Sequence, residues 1–294
     1  MIRVVFYGTS AFVAPCLEAL VQDPSLTVVG VVTQPDRPAG RSGALTPPPM
    51  KILAEQLNLP VFQFEQVKSD EAYSTLVTLN ADVAIVASFG QIISQRVLDL
   101  YPRGVLNVHP SLLPAYRGAI PMTAAIRDGL TETGNTIMLM DAQMDHGPIL
   151  SQTLTKLDPN ETTGTLSDRM FKEAAPQLIK TLHAYLDGSL SPIEQDHTKA
   201  TFVKLLSRED GKLDPTTQSA EQMEKLVRAY TPWPGTTIEY KGKRLKVLKS
   251  HVTAQQNANE LQISCFNGSI LVLDEVQPEG KKPMSGESFL RGLR

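Results

Sequence analysis

The chain has 294 residues, of which 41% are hydrophobic and 20% are charged, as in an ordinary globular protein with one large core or two smaller ones. Its net charge of −3 argues against a surface coated with basic residues. The sequence holds no apolar run long enough for a membrane span, and its first residues lack the pattern of a signal peptide. Because Cys16 and Cys265 are far apart and lack metal-ligand spacing, we expect a reduced, cytoplasmic protein without a disulfide or a metal site.

Apolar runs and helical segments alternate along the first 188 residues. Strands are predicted at 3–7, 28–32, 61–62, 82–87, 105–109 and 135–140, and helices at 12–21, 50–57, 70–79, 119–127 and 165–186. Unbroken apolar strands that alternate with helices predict a Rossmann-like, mostly parallel sheet with helices on both faces. In such folds ligands bind beyond the carboxyl ends of the strands, so we look for the site there.

The turn after the first strand, Gly8-Thr9-Ser10, is compatible with a nicotinamide-dependent dehydrogenase. The turn lacks the second and third glycines of the dinucleotide fingerprint, and Asp36 is the only other hint of one. A dehydrogenase is therefore disfavoured.

A proline-rich loop follows the second strand, at 33–49. Its five prolines exclude a helix or a central strand, and Arg37 and Arg41 give it positive charge. A loop of this length in a compact domain is usually either functional or mobile, and composition alone leaves both open.

Asn107 and His109 lie two residues apart at the end of a predicted strand. In an extended chain they point to the same side, and Pro110 keeps His109 extended. Such a histidine is most often satisfied by the backbone. Asp145 stands in a Gly-Pro turn, where an aspartate is usually a turn former, and we expect the next residue, His146, to be exposed.

The last third of the chain differs in character. Residues 189–208 are polar and weakly periodic, which predicts a linker between a domain at 1–188 and another at 209–294. A helix at 220–229 and strands at 236–240, 245–248, 261–266 and 270–274 predict a small β-barrel, with oligonucleotide-binding (OB) folds among the candidates. The densest basic cluster of the chain, at 241–249, lies within this domain.

Two motifs taken together carry a family resemblance. N-V-H-P-S-L-L-P-A-Y-R-G at 107–118 with M-D-A-Q-M-D-H-G-P-I-L at 140–150 closely resembles the 10-formyltetrahydrofolate-dependent formyltransferases. Further motifs at 34–41, 88–93, 204–211, 228–235 and 277–285 are similar to the methionyl-tRNA branch of that family. The resemblance runs nearly end to end.

The resemblance implies an enzyme of translation initiation that transfers a formyl group from 10-formyltetrahydrofolate to methionyl-initiator-tRNA. It implies catalysis by Asn107, His109 and Asp145, without a metal. It places the folate at Ser111, Leu112, Leu113, Pro114, Phe89, Gly90, Gln91 and Ile92, with the loop 141–145 nearby. It places the tRNA at Arg37, Arg41, Lys204, Lys241, Lys243, Arg244 and Lys246. We expect a monomer that binds no membrane.

The residue types suit this chemistry. When an amine attacks the formyl carbon, the carbonyl oxygen gains negative charge, which amide and imidazole N–H donors stabilise. Asp145 would orient the imidazole and keep it positively charged. It could also pass protons through a water from the attacking amine to the departing N10 of the folate.

Two departures from the family pattern concern the tRNA. Arg41 is not followed by the usual lysines, and the stretch 251–261 is short. A formyltransferase for an amino-sugar nucleotide would use the same three catalytic residues without these RNA-directed segments, and it is the main alternative. A binding module without catalysis is disfavoured because the three residues are all present.

Overall fold

The computed structural model describes residues 1–39 and 43–293. In chain order the strands are β1 (Ile2–Gly8), β2 (Leu26–Thr33), β3 (Arg37–Ala39), β4 (Ala44–Thr46), β5 (Val61–Gln63), β6 (Val83–Ala87), β7 (Val105–His109), β8 (Arg117–Gly118), β9 (Glu132–Leu139), β10 (Ile149–Lys156), β11 (Phe202–Val203), β12 (Thr236–Tyr240), β13 (Lys243–Thr253), β14 (Gln262–Ser264), β15 (Ile270–Pro278) and β16 (Met284–Ser285). The α-helices are α1 (Ala14–Gln22), α2 (Pro49–Gln56), α3 (Asp70–Thr78), α4 (Gln95–Leu98), α5 (Pro121–Arg127), α6 (Thr163–Leu186), α7 (Ala220–Ala229) and α8 (Gly286–Arg291).

A seven-stranded sheet of described residues has the order β10-β9-β7-β6-β1-β2-β5. The pairs β1–β2, β1–β6, β2–β5 and β6–β7 are parallel, whereas β9 runs antiparallel to β7. The predicted Rossmann-like, mostly parallel sheet is therefore confirmed.

The strands at the centre of this sheet are apolar because both of their faces are covered. All five residues of β6 are buried, and so are the last five of β1. Tyr7 of β1 packs edge-on against Phe89, with ring centroids 5.2 Å apart, and its hydroxyl lies 2.5 Å from that of Tyr101. These contacts of Tyr7 stabilise the chain where β1 and β6 end.

The strand order creates a crevice between β1 and β6. From β1 the chain proceeds outward through β2 and β5 and then returns to β6 on the other side, so the connections diverge at this point. Here Gly8 pairs with Ala87, and the Thr9 hydroxyl donates to the Phe89 carbonyl oxygen at 2.8 Å. The crevice is the expected ligand position in an open α/β sheet.

The described chain divides into two compact units that are not continuous in sequence. The first comprises Met1–Ala119, Thr133–Thr155 and Ser167–Val203, and the second comprises Ile120–Glu132, Lys156–Leu166 and Lys204–Arg294. Residues 189–203, predicted as linker, belong to the first unit: β11 pairs with β8, and Ile193 bridges Ile149. The predicted division into a catalytic domain at 1–188 and a tRNA-binding domain at 209–294 concerns function and stays a prediction.

The second unit contains an antiparallel five-stranded sheet, with the order β12-β13-β15-β14 and β16 paired to β15. Helix α7 begins with a capping box in which Ser219 and Gln222 exchange hydrogen bonds. Met223 and Val227 of α7 pack with Leu245 and Val247 of β13 in one apolar core. The predicted small barrel is confirmed as a barrel-like antiparallel domain.

Short elements were missing from the sequence prediction. Within the proline-rich loop, β3 and β4 form a two-stranded hairpin in which Pro38 pairs with Leu45. A proline is tolerated here because an isolated hairpin needs no N–H on its outer edge. Near the end of the chain, Ser285 caps α8 by accepting from the Ser288 N–H at 3.2 Å. Among the described helices, none has the length and apolar character needed to cross a bilayer.

Candidate active site

Asn107 and His109 lie on one side of β7 at its carboxyl end, as the strand period predicts. Both side chains approach the Asp145 carboxylate. The Asn107 amide donates to Oδ1 at 3.2 Å, and His109 Nδ1 lies 3.6 Å from the same oxygen. Three polar groups from two distant parts of the chain therefore converge on one point.

The other Asp145 oxygen is held by backbone. Oδ2 accepts from the Gly118 N–H at 2.7 Å, and the side chain is 14% exposed. A carboxylate in this position is oriented from two sides and largely shielded from water, which strengthens its interactions with neighbouring groups.

The ring orientation of His109 is set by the opposite nitrogen. Nε2 lies 3.0 Å from the Tyr116 carbonyl oxygen, which can only accept, so Nε2 carries the proton and donates. Nδ1 therefore faces Asp145. Since the Asn107 amide has two N–H groups and donates one to Asp145, its other N–H is without a partner among the described residues.

The segment from His109 to Gly118 folds back over the end of β7. Its return is fixed by Ser111, whose hydroxyl donates to the Ala115 carbonyl at 2.7 Å, and by the Tyr116 N–H, which donates to the Thr201 hydroxyl at 2.8 Å. Gly118 has φ of +113°, and a Cβ atom there would collide with the Val203 carbonyl oxygen. Only glycine fits this position without movement of its neighbour.

Non-glycine residues in left-handed backbone conformations stand at the site. Ser88, Tyr116 and Asp145 have φ of +47°, +60° and +48°. Such conformations cost on the order of 1–3 kcal/mol each and persist only where the surrounding contacts impose them. The contacts of Tyr116 and Asp145 described above supply that constraint.

The eight predicted folate residues differ in exposure, and two of them, Leu112 and Pro114, are partly buried. Ser111, Phe89 and Leu113 are buried, and the Gln91 side chain is bound to backbone, accepting from the Val67 N–H at 2.7 Å. Gly90 and Ile92 are exposed, and in the described chain their backbone groups form no hydrogen bond. The accessible parts of the 89–92 segment are thus the backbone of Gly90 and the residue Ile92, which is 79% exposed.

The expectation that His146 is exposed was wrong. Its Nδ1 lies 2.6 Å from Asp141 Oδ2, its ring stacks on His197 with centroids 4.0 Å apart, and its side chain is 26% exposed. The stacking partner comes from the segment predicted as linker, which the sequence pattern did not place near this loop.

Arg117 and Gln195 were also missed. Both are buried, with exposures of 3% and 5%, and Gln195 contacts the backbone of the Asp145 turn. Gln195 lies fifty residues from Asp145 in a polar, weakly periodic stretch, so no local sequence signal indicates the contact. Arg117 lies in the family motif at 107–118, so the sequence could have drawn attention to it, whereas Gln195 lies in no such motif.

The predicted tRNA contacts occupy different surroundings. Arg41 lies outside the described residues, and Arg37 forms an exposed ion pair with Glu65 at 2.6 Å. Lys241 lies over the Tyr240 ring, at 5.5 Å. The others are exposed cations that form no ion pair with any described residue: Lys204, Lys243, Arg244 and Lys246.

Arg244 and Lys246 share one face of β13. They flank Leu245, which points into the core together with Val247, so their own side chains point away from it.

Across the described residues, no group of three or more histidine, cysteine or acidic side chains is placed to hold a metal ion.

Comparison with known proteins places this chain in a family. Residues 2–182 match the family model "Formyl transferase", and residues 205–294 match "Formyl transferase, C-terminal domain". A methionyl-tRNA formyltransferase of Roseiflexus sp. (strain RS-1) is 44% identical over 304 residues, which cover 100% of this chain and 93% of the relative.

Solved structures share the fold at low identity. HypX from Aquifex aeolicus in complex with tetrahydrofolic acid matches with a TM-score of 0.64 and 12% identity, covering 98% of this chain and 46% of that one. WlaRD, a sugar 3N-formyl transferase, matches with a TM-score of 0.65 and 17% identity, covering 96% and 99%. On the strength of the family models and the full-length similarity, the chain belongs to the methionyl-tRNA formyltransferase family.

Proposed function

We propose that this protein transfers the formyl group of 10-formyltetrahydrofolate to the amino group of methionyl-initiator-tRNA. The observation that carries the proposal is the convergence of Asn107 and His109 on Asp145 at the carboxyl end of β7. The relative from Roseiflexus, named for the same activity, aligns with the whole of this chain.

We expect the pterin ring to bind in the crevice between β1 and β6. A pterin has a flat edge of alternating donors and acceptors, which is matched by backbone N–H and carbonyl groups that have no other partner. Gly90, which is exposed and has no side chain, offers such groups at an accessible position. Because the side chains of Phe89 and Leu113 are buried, they would pack beneath the binding segment rather than contact the ligand.

The bound donor supplies an activated formyl group. The free N–H of Asn107 would donate to its carbonyl oxygen as negative charge develops there, and a protonated His109 ring would add positive charge beside that oxygen. Asp145, 3.6 Å from Nδ1, would keep the ring in place and hold a proton between carboxylate and imidazole. Since the attacking amine comes from the tRNA ester, no protein nucleophile is needed. The new bond from the amine to the formyl carbon would form as the bond from that carbon to N10 of the folate breaks, and the proton lost by the amine would pass to N10.

Exposed cations of the second unit support contact with the tRNA. Arg244 and Lys246 project from one face of β13, and Lys243 precedes them. Unpaired cations can bind phosphates without first breaking an ion pair, so these are better candidates than Arg37.

We further propose a monomer that works in the cytoplasm, with catalysis in residues 1–188 and tRNA binding in residues 209–294.

One assay tests the substrate assignment. Purified protein is supplied with 10-formyltetrahydrofolate and either charged initiator methionyl-tRNA or an amino-sugar nucleotide, and formyl transfer to each acceptor is followed. We expect transfer to the tRNA alone. Transfer only to the sugar nucleotide would overturn the assignment while leaving the roles of the three residues intact.

A further inference from the structure

Gln195 joins the segment after α6 to the turn that carries Asp145. Its amide Nε2 donates to the carbonyl oxygen of Asp145 at 2.9 Å and to that of Gly147 at 2.7 Å. Both hydrogens of the amide are thereby used on the backbone of one turn. The two carbonyl groups flank His146 and are held at a fixed separation.

Arg117 fixes which way the amide points. Its NH2 group donates to Gln195 Oε1 at 2.7 Å and to His197 Nδ1 at 2.8 Å. A guanidinium can only donate, so it requires the oxygen of Gln195 on its own side and the NH2 on the side of the two carbonyls. A flipped amide would set donor against donor and acceptor against acceptor in buried surroundings, a costly arrangement.

The Asp145 backbone needs this support. Its φ of +48° is unfavourable for a residue with a side chain, and the Asp145 carbonyl accepts from Gln195 while other groups hold the carboxylate. Without the two amide bonds the turn can relax toward negative φ. The carboxylate would then move relative to Asn107 and His109, which contact it only through long distances of 3.2 and 3.6 Å.

We propose that Gln195, oriented by Arg117, is a positioning residue that sets the Asp145 carboxylate against Asn107 and His109. The inference rests on the proposed function, because the expected effect is on formyl transfer. It assigns to the segment 193–203 a part in the active site, although no residue of it is required to touch a substrate.

The main variant is Gln195→Met, which keeps the length of the side chain and removes its polar atoms. The matched control is Gln177→Met, since Gln177 is also buried and donates to a backbone carbonyl, that of Asn135 at 3.3 Å, away from Asp145. We expect Gln195→Met to lower kcat about 10- to 100-fold, with KM for both substrates within about threefold. Gln177→Met should change kcat less than about twofold.

A second readout reports on position independently of turnover. The side-chain amide NMR signals of Asn107, assigned by their loss in Asn107→Ala, depend on the hydrogen bond to Asp145. They should shift in Gln195→Met and stay in place in Gln177→Met. If wild-type protein proves not to formylate methionyl-tRNA, the proposed function fails, yet these signals still decide whether Gln195 positions Asp145.

Gln195→Glu is a second variant, which keeps the test valid if Gln195→Met does not fold. Its carboxylate can pair with Arg117 but repels both carbonyl oxygens, so we expect a loss of kcat at least as large as in Gln195→Met. Folded Gln195 variants that keep kcat within about twofold of wild type and leave the Asn107 signals unmoved would overturn the proposal.

Discussion

The backbone N–H of Gly118 donates to the Asp145 carboxylate at 2.7 Å, across an interval of 27 residues in sequence. This bond is the shortest of those that hold the carboxylate, and its donor Gly118 adopts a φ of +113° beside the Val203 carbonyl. The position of the proposed catalytic aspartate therefore depends on a residue without a side chain.

Replacing this glycine should affect both stability and activity. In Gly118→Ala the new Cβ meets the Val203 carbonyl oxygen, and either β8 or β11 must move. We expect a loss of roughly 2–4 kcal/mol in unfolding free energy. Thermal unfolding and formyl-transfer assays measure the two effects, and we expect kcat to fall at least tenfold in the folded variant.

Gly188→Ala is the matched control for Gly118→Ala. Gly188 has φ of +79°, but a Cβ atom there meets nothing within 4 Å. It should lose only about 1 kcal/mol through the backbone conformation, with unchanged activity. Equal losses in the two variants would show that the clash with Val203 is unimportant.

Removal of either side chain proposed to stabilise the negative charge on the formyl oxygen should slow the chemical step. We expect Asn107→Ala and His109→Ala each to lower kcat by roughly 10² to 10³-fold, the usual cost of removing one donor, while the protein stays folded. Single-turnover kinetics with saturating substrates and circular dichroism provide the measurements. His183→Ala serves as control because His183 of α6 pairs with Asp23, and near-normal turnover in folded His109→Ala would refute the assignment.

The salt dependence of tRNA binding tests the basic face of β13. Neutralising Arg244 and Lys246 should weaken binding and lower the slope of log Kd against log salt by about 1 for each phosphate that the protein no longer neutralises. Lys212→Ala is the control, since Lys212 is exposed in the same unit but ion-paired with Glu209. An identical slope in the Arg244 and Lys246 variants would show that these cations do not bind phosphate.

The buried Tyr7–Tyr101 pair predicts a loss of stability at alkaline pH. Burial raises the pKa of Tyr7 well above its ordinary value and that of Tyr101 to about 12. Between about pH 10 and 12 the unfolded chain releases protons from these phenols that the folded chain keeps, so the free energy of unfolding falls as pH rises.

In Tyr101→Phe that decline should be shallower by up to about 1.4 kcal/mol per pH unit, the contribution of one proton. Urea unfolding at a series of pH values measures the slope. Tyr185→Phe, which removes a partly exposed phenol, is the comparison. A Tyr101→Phe slope equal to that of wild type would contradict the assignment of the alkaline loss to this pair.

Local patterns carried the prediction of the fold and the placement of two of the three proposed catalytic side chains, but not their role. The period of a strand was sufficient to place Asn107 and His109 on one side of β7, and helical spacing found α6 and α7 to within a few residues. The position of Asp145 beside them came from family resemblance, because nothing local distinguishes a catalytic aspartate from a turn former.

Long-range contacts explain what was missed. Gln195 and His197 lie in a polar segment with no periodic pattern, and their roles depend on partners fifty and more residues away. The β8–β11 pair has two residues in each strand, too few for a strand signal. The basic cluster was visible in sequence, but which of its side chains are ion-paired depends on cross-strand register.

The discontinuous second unit has a consequence for how the protein is made. Helix α5, whose residues 121–126 are all buried, packs with α7 in that unit, and α7 is about 90 residues further along. At a synthesis rate of roughly 5–20 residues per second, α5 would leave the ribosome several seconds before its partner exists. During that interval its apolar surface is exposed, and a nascent chain that stalls before α7 should therefore depend on chaperones to avoid aggregation.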